Sequence, residues 1–294
     1  MKRLIVNADD FGLSQGINDA IMLGHRQGII TSATLMANGG AFAAAVEMAR
    51  TASSLGVGVH LNLTEGAPVS APSCIPSLVD AQGLFAHTAT QLGRRSLVGS
   101  LSLLEVEREL RAQIEKVLAA GVAVTHLDGH KHVHLIPALC RLVMRLATDY
   151  GIMGMRCPCE GFSDITRLMR RHPRAAPRLL QQYGVSRGLW LLARRASQAC
   201  QRAGLRHPSY FYGLTATGWL DAEVLQRLIC HLPEGTSELM CHPGYVDDQL
   251  RRTPTRLLAQ RAQELQALVQ PEIRQALARE EVTLINYRDL SPPG

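Results

Sequence analysis

Residues 104–128 read LEVERELRAQIEKVLAAGVAVTHLD. Leu104, Leu110, Ile114, Val117 and Leu118 recur at helical spacing on one face, with Glu and Arg opposite. Gly121 stands where a helix-ending glycine belongs. A strand pattern, 124–128, follows at once. Units of this kind run through the chain. Strand-like runs fall at 4–8, 32–37, 57–63, 124–128, 154–157, 210–214, 238–241 and 282–287, with amphipathic helical stretches between most of them. Repeated βα units build a parallel sheet, open or closed into a barrel.

Two segments interrupt the alternation. Residues 64–102 are rich in Pro, Ser and Gly and read as a long loop excursion. Residues 163–207 carry ten Arg against one acid, Asp164, and read as a helical insertion. Long insertions at strand ends often shape substrate sites. No stretch looks like an interdomain linker, so one domain over residues 1–294 is expected.

Composition removes some function classes. Aromatic residues make up 4% of the chain, too few for the stacking platforms of a single-strand nucleic-acid binder. The net charge of +6 suits an anionic membrane surface, or only a solvated face. Seven Cys, an odd number without a visible secretion signal, read as reduced thiols of a cytoplasmic protein. Cys157 and Cys159 read as buried structural thiols rather than a zinc site. No stretch reaches the roughly 18 apolar residues of a membrane span.

The polar residues that could do chemistry follow the carboxyl ends of the expected strands, where parallel α/β folds bind ligands. Asp9 and Asp10 end the first. One can ligate a cation while the other stays free as a base, if a turn makes them converge. His60 lies near the end of the third. His126, Asp128, His130, His132 and His134 crowd the end of the fourth, and on a strand His126, Asp128 and His130 would share one face. One or two of these His are expected on a metal, the others orienting ligands from behind. Arg156 ends the fifth. His242, in a Pro-Gly turn after Cys241, is placed as a proton donor. Trp219, Tyr212 and Tyr245 could stack on a sugar ring or pack in the core. Serine-nucleophile, P-loop and Rossmann signatures are absent.

The stretches NADDFGLS (7–14), GVHLNLT (58–64), THLDGHKHVH (125–134) and CHPGY (241–245) together resemble the YdjC-like carbohydrate deacetylases, over nearly the whole chain. The resemblance implies a distorted, TIM-like (β/α) barrel with long insertions at the strand ends. It implies one divalent metal ion, Zn²⁺ or Mg²⁺, held by Asp10, His60 and His130. It implies Asp9 as base, with Arg156 paired to it by analogy. The substrate would be an N-acetylated amino sugar. The hopanoid-associated branch, whose substrate is an N-acetylglucosaminyl group on a hopanoid lipid, fits GHKHVH best, because the chitooligosaccharide branch carries Ser and His at the positions of Gly129 and Lys131. A lipid-linked substrate would bring the Arg-rich segment to an anionic inner-membrane face. No nucleic-acid partner is expected, and a homodimer is compatible with the sequence. Two other readings stand beside it: a non-haem Fe(II) oxygenase built on two His and one carboxylate, and a non-catalytic, metal-containing sugar- or lipid-binding protein.

Overall fold

A computed structural model describes residues 1–161 and 165–291. Eight strands form one sheet: β1 (Lys2–Phe11), β2 (Ser32–Leu35), β3 (Gly56–Leu61), β4 (Val124–Gly129), β5 (Gly154–Met155), β6 (Tyr210–Tyr212), β7 (Gly235–Cys241) and β8 (Val282–Leu284). Their order is β5-β4-β3-β2-β1-β7-β6, with β8 pairing the first residues of β1. Every pairing between these strands is parallel. The two edges meet at parallel bridges between Gly154 and Arg206 and between Glu160 and Phe211. The sheet therefore curls into a distorted α/β barrel, as expected, with all strand carboxyl ends at one rim.

All eight expected strands are present, with shifted ends. β1 is the longest and runs on through Asp9 and Asp10. β5 is cut to two residues because the chain turns tightly beyond it, the Cys159 N–H donating to Cys157 O.

The helix Leu103–Ala119 precedes β4. The Ser102 side chain caps it by accepting from the Glu105 N–H, and Gly121, at φ 76°, turns the chain in the left-handed region. Val106, Leu110, Ile114 and Val117 form its buried stripe. Leu104, expected on that face, is 69% exposed, since it lies two residues before Val106 and so about 200° round the helix from that first residue of the buried stripe.

Residues 64–102 are more ordered than a loop excursion. They contain a helix, Ala89–Leu97, and bury Ile75, Leu78, Phe85 and Leu92 in the main core. The buried Glu109 carboxylate accepts from the Val69 and Ser70 N–H groups at 2.9 and 2.8 Å and pins the segment to the barrel. The first residues of the Arg-rich segment, Ser163 and Asp164, lie outside the described residues. Its described part folds as helices Ile165–Arg171 and Ala176–Arg202. The second buries Leu179, Ser186, Ala193, Ala196 and Cys200.

Candidate active site

β1 delivers two carboxylates to the rim. Asp10 adopts φ 66°, a left-handed conformation that costs a non-glycine residue about 1–2 kcal/mol. The kink turns neighbouring carboxylates, which a straight strand would point to opposite faces, toward one place. It is held locally, since Gly12 N–H donates to Asn18 Oδ1 at 2.7 Å and Leu13 N–H to Asp10 O at 3.0 Å.

Asp10, His60 and His130 converge. Asp10 Oδ1 lies 3.2 Å from His130 Nδ1 and 3.6 Å from His60 Nε2, and the two nitrogens are 3.3 Å apart. Asp10 Oδ1 is buried without a hydrogen-bond donor aligned on it among the described residues. Two imidazole nitrogens and an orphaned carboxylate oxygen in one triangle are a donor set that a divalent cation satisfies. The other atoms of these residues are already engaged. Asp10 Oδ2 accepts from Arg261 at 2.5 Å. His60 Nδ1 meets Asp128 at 2.7 Å, and His130 Nε2 meets Glu65 at 3.1 Å. Such outer partners fix the tautomer and raise ligand basicity. Asp9, His60 and Asp128 form a second cluster of suitable spacing. Its carboxylates, however, are tied to Arg156.

Arg156 is wholly buried and organises the carboxylates. Nη1 and Nη2 grip Asp9 at 2.8 and 2.7 Å, Nη1 also reaches Asp128 at 2.5 Å, and Nε donates to Glu238 at 2.8 Å. Burial alone would raise the Asp9 pKa, but the guanidinium outweighs it and holds the carboxyl below its ordinary value. Asp10 is likewise held well below its ordinary value, burial being outweighed by Arg261 and His130. Burial opposes charge on His130, yet Asp10 and Glu65 lift it to about 9, so the cluster draws positive charge to this point.

The remaining expected residues divide. His242 lines the same cavity as Asp9, Asp10, His60 and His130. Its backbone N–H donates to the buried Glu264 at 2.6 Å, and burial pushes the imidazole down to about 4. His132 also lines the cavity. His130 does not continue the strand face of His126 and Asp128. It opens a tight 3-10 turn, His130–Leu135, with Lys131 and His132 at positive φ. His134 tucks under this turn and meets Arg156 O at 3.1 Å. His126 lies deeper, stacked flat on Tyr287. Trp219 packs against His172, and Tyr245 is 45% exposed; neither lines this cavity.

Glu65, Arg261, Glu238, Glu264 and Tyr287 were not singled out in the sequence. Arg261 and Glu264 carried a signal, as charged residues at positions facing the core in the helix Ala259–Val269. Glu238 carried one as the lone charge inside a strand, Gly235–Cys241. Glu65 and Tyr287 carried none.

The cavity above the triad has a volume of about 630 Å³, within the range of small-molecule sites. Leu13, Leu214, Met240 and Leu257 give it apolar walls, and Gln181, Gln182 and Thr217 give it polar ones.

The sequence pattern of the family described as YdjC-like protein matches residues 3–279. The chain belongs to the YdjC-like family. A relative named carbohydrate deacetylase from Brevibacillus brevis is 34% identical over 292 residues, covering 98% of this chain and 99% of the relative. One of the same name from Geobacillus stearothermophilus is 34% identical, covering 97% and 96%. Among solved structures, an Enterococcus faecalis protein described as a cellobiose-phosphate cleavage protein superposes on this YdjC-like chain with a TM-score of 0.76 at 26% identity, covering 97% of each chain.

Proposed function

We propose that this protein is a metal-dependent hydrolase that removes the acetyl group from an N-acetylated amino sugar. The observation that carries the reading is the buried, unpartnered Asp10 Oδ1 facing His60 Nε2 and His130 Nδ1, with the Arg156-held Asp9 beside it. The relatives named carbohydrate deacetylase supply the reaction class.

A metal bound by Asp10, His60 and His130 would act as a Lewis acid on the acetamide oxygen and on a water. The donor set of two imidazole nitrogens and one carboxylate oxygen suits Zn²⁺ better than Mg²⁺, which favours oxygen ligands and water. Asp9 takes the proton of the attacking water. Oδ1 is filled by Arg156 and Asn7, but Oδ2 keeps a lone pair beyond its Arg156 hydrogen bond, and the depressed pKa keeps the carboxylate ionised and ready. His242 delivers a proton to the departing amine nitrogen. It rests neutral, so the proton it delivers is replaced by the one Asp9 has taken from water, which leaves neither residue changed after a turnover. Water and amide thus become acetate and a free amine.

For the sugar's aglycone we favour a lipid, as on an N-acetylglucosaminyl hopanoid. Val185 and Leu189 of the helix Ala176–Arg202 extend the apolar wall of the cavity toward solvent. Exposed Leu180 and Leu191 on the same helix, with its Arg residues, support peripheral contact at an anionic cytoplasmic membrane face. No helix among the described residues is long and apolar enough to cross a membrane. A panel containing an acetylglucosaminyl hopanoid and a chitooligosaccharide, each with and without chelator, tests the reading by acetate release. Chelator-sensitive release from the lipid conjugate supports both parts. Release from the oligosaccharide alone keeps the reaction and discards the lipid. No release from either conjugate by the metal-loaded protein refutes the enzyme.

A further inference from the structure

Beneath the site lies a buried chain of contacts that the reaction as described does not use. Tyr287 donates its hydroxyl to Glu238 Oε2 at 2.6 Å, and Glu238 Oε1 accepts from Arg156 Nε at 2.8 Å. On its other edge Arg156 grips both oxygens of Asp9. Glu238 is fully buried on β7, and Tyr287 is nearly so, in the turn that follows β8.

The neighbouring strands make room for this arrangement. The Tyr287 ring lies on His126 with centroids 3.6 Å apart and planes 3° from parallel. A Cβ on Gly58 of β3 would stand 2.6 Å from the His126 ring. A Cβ on Gly154 of β5 would stand 2.8 Å from His126 Cβ and 3.1 Å from the Tyr287 ring. Two strands flanking His126 thus carry glycine where the stack passes. Tyr287 lies beyond residues 3–279, the part that matches the family pattern.

A guanidinium held on one edge only can pivot about its Cδ–Nε bond, and Asp128 offers Arg156 a second carboxylate within reach at 2.5 Å. A bond at Nε removes that freedom. Burying a third carboxylate beside one guanidinium is a poor way to gain stability, since an apolar residue of similar volume serves as well or better. Its placement answers a need for orientation instead.

We propose that Glu238, itself held by Tyr287, is a positioning residue that locks Arg156 onto Asp9, so that the C-terminal turn belongs to the catalytic machinery. This rests on the reading of Asp9 as the base. Glu238→Leu removes the acceptor for Nε. Glu238→Gln keeps a carbonyl oxygen there. Tyr287→Phe keeps the stack on His126 and removes only the hydroxyl.

The expected result with an N-acetylglucosamine conjugate is a loss in kcat of about 10- to 100-fold for Glu238→Leu, with KM within about twofold. Glu238→Gln recovers most of kcat, and Tyr287→Phe loses roughly three- to tenfold. Calorimetric zinc affinity stays at the wild-type value in all three. The Arg156 Nε–H proton, read by NMR, exchanges slowly in wild type and Glu238→Gln and fast in Glu238→Leu. Wild-type kcat in Glu238→Leu with a still-protected Nε–H overturns the proposal. So does a loss that appears equally in KM and zinc affinity, or that Glu238→Gln fails to relieve. If Glu238→Leu does not fold, Tyr287→Phe carries both readouts, and unchanged kcat and Nε–H exchange there overturn it. If wild type releases no acetate, the reading of the reaction fails, while the Nε–H exchange still decides whether Glu238 fixes Arg156.

Discussion

Replacing Arg156 with Met removes one guanidinium from among Asp9, Asp128 and Glu238 and leaves an unbranched apolar side chain in its place. All four side chains are almost completely buried, so water does not compensate the loss. Little cavity forms, and the cost is electrostatic. Breaking a buried ion cluster by removing one partner costs about 3–5 kcal/mol, because the remaining charges keep their desolvation penalty. The pH dependence gives an internal control. Arg156 lowers the pKa of both Asp9 and Asp128. Their stabilising contribution is therefore present above the ordinary carboxylate range and fades as pH falls through the depressed values. The gap between wild type and Arg156→Met should be widest near neutrality and shrink in acid, where the variant's carboxyls protonate. Urea denaturation at pH 7 and pH 5 measures both quantities. A loss under 1 kcal/mol at pH 7, or a gap that grows in acid, would refute the reasoning that this guanidinium neutralises ionised, buried carboxylates.

Other substitutions probe other parts. Asp9→Asn should keep zinc, measured by calorimetry, and lower acetate release by roughly 100-fold or more, since a positioned base contributes about that much; wild-type turnover would remove Asp9 from the base role. His130→Ala should lose zinc and turnover together, and retention of either contradicts its place in the triad. His126 is buried and pushed down to about 3, so it stays neutral in the fold while the unfolded chain protonates below about 6.5. Wild type should therefore lose stability relative to His126→Asn as pH falls from 6.5, by about 1.4 kcal/mol per pH unit at most; parallel denaturation curves at pH 7 and 5 would show that His126 does not titrate this way. Gly58→Ala should cost about 1–3 kcal/mol, because its Cβ meets the His126 ring at 2.6 Å; an unchanged denaturation midpoint would show that the stack yields freely.

The parallel barrel was legible because each βα unit carries its own period, and the residues at strand ends announced themselves by being polar after apolar runs. Three parts of the site were not. The kink at Asp10 depends on a positive φ that no glycine advertised. The His-rich stretch had the composition of a site but not its geometry. Left-handed Lys131 and His132 take the chain out of the strand, so His130 reaches the triad, His134 passes beneath it and His126 stays in the layer below. The partners that tune the site come from far along the chain. Arg261 meets Asp10 across 251 positions, and Tyr287 meets Glu238 from the last strand's turn. Such contacts leave at most a misplaced charge in an otherwise apolar pattern, as at Glu238 and Arg261. The order within the 64–102 excursion was hidden for a related reason. Its core residues Ile75, Leu78, Phe85 and Leu92 stand three and seven positions apart, but the Pro, Ser and Gly between them hide that spacing in the composition, and all four reach the core.

If a metal held by Asp10, His60 and His130 supports amide hydrolysis, removing it must stop the reaction. The direct measurement strips the protein with chelator, follows acetate release from an N-acetylglucosamine conjugate, and adds back zinc. The stripped protein should release no acetate, release should return at one zinc per chain in wild type, and zinc should restore none in Asp10→Asn. Full release from the stripped protein, or equal restoration in Asp10→Asn, would contradict that role for the metal.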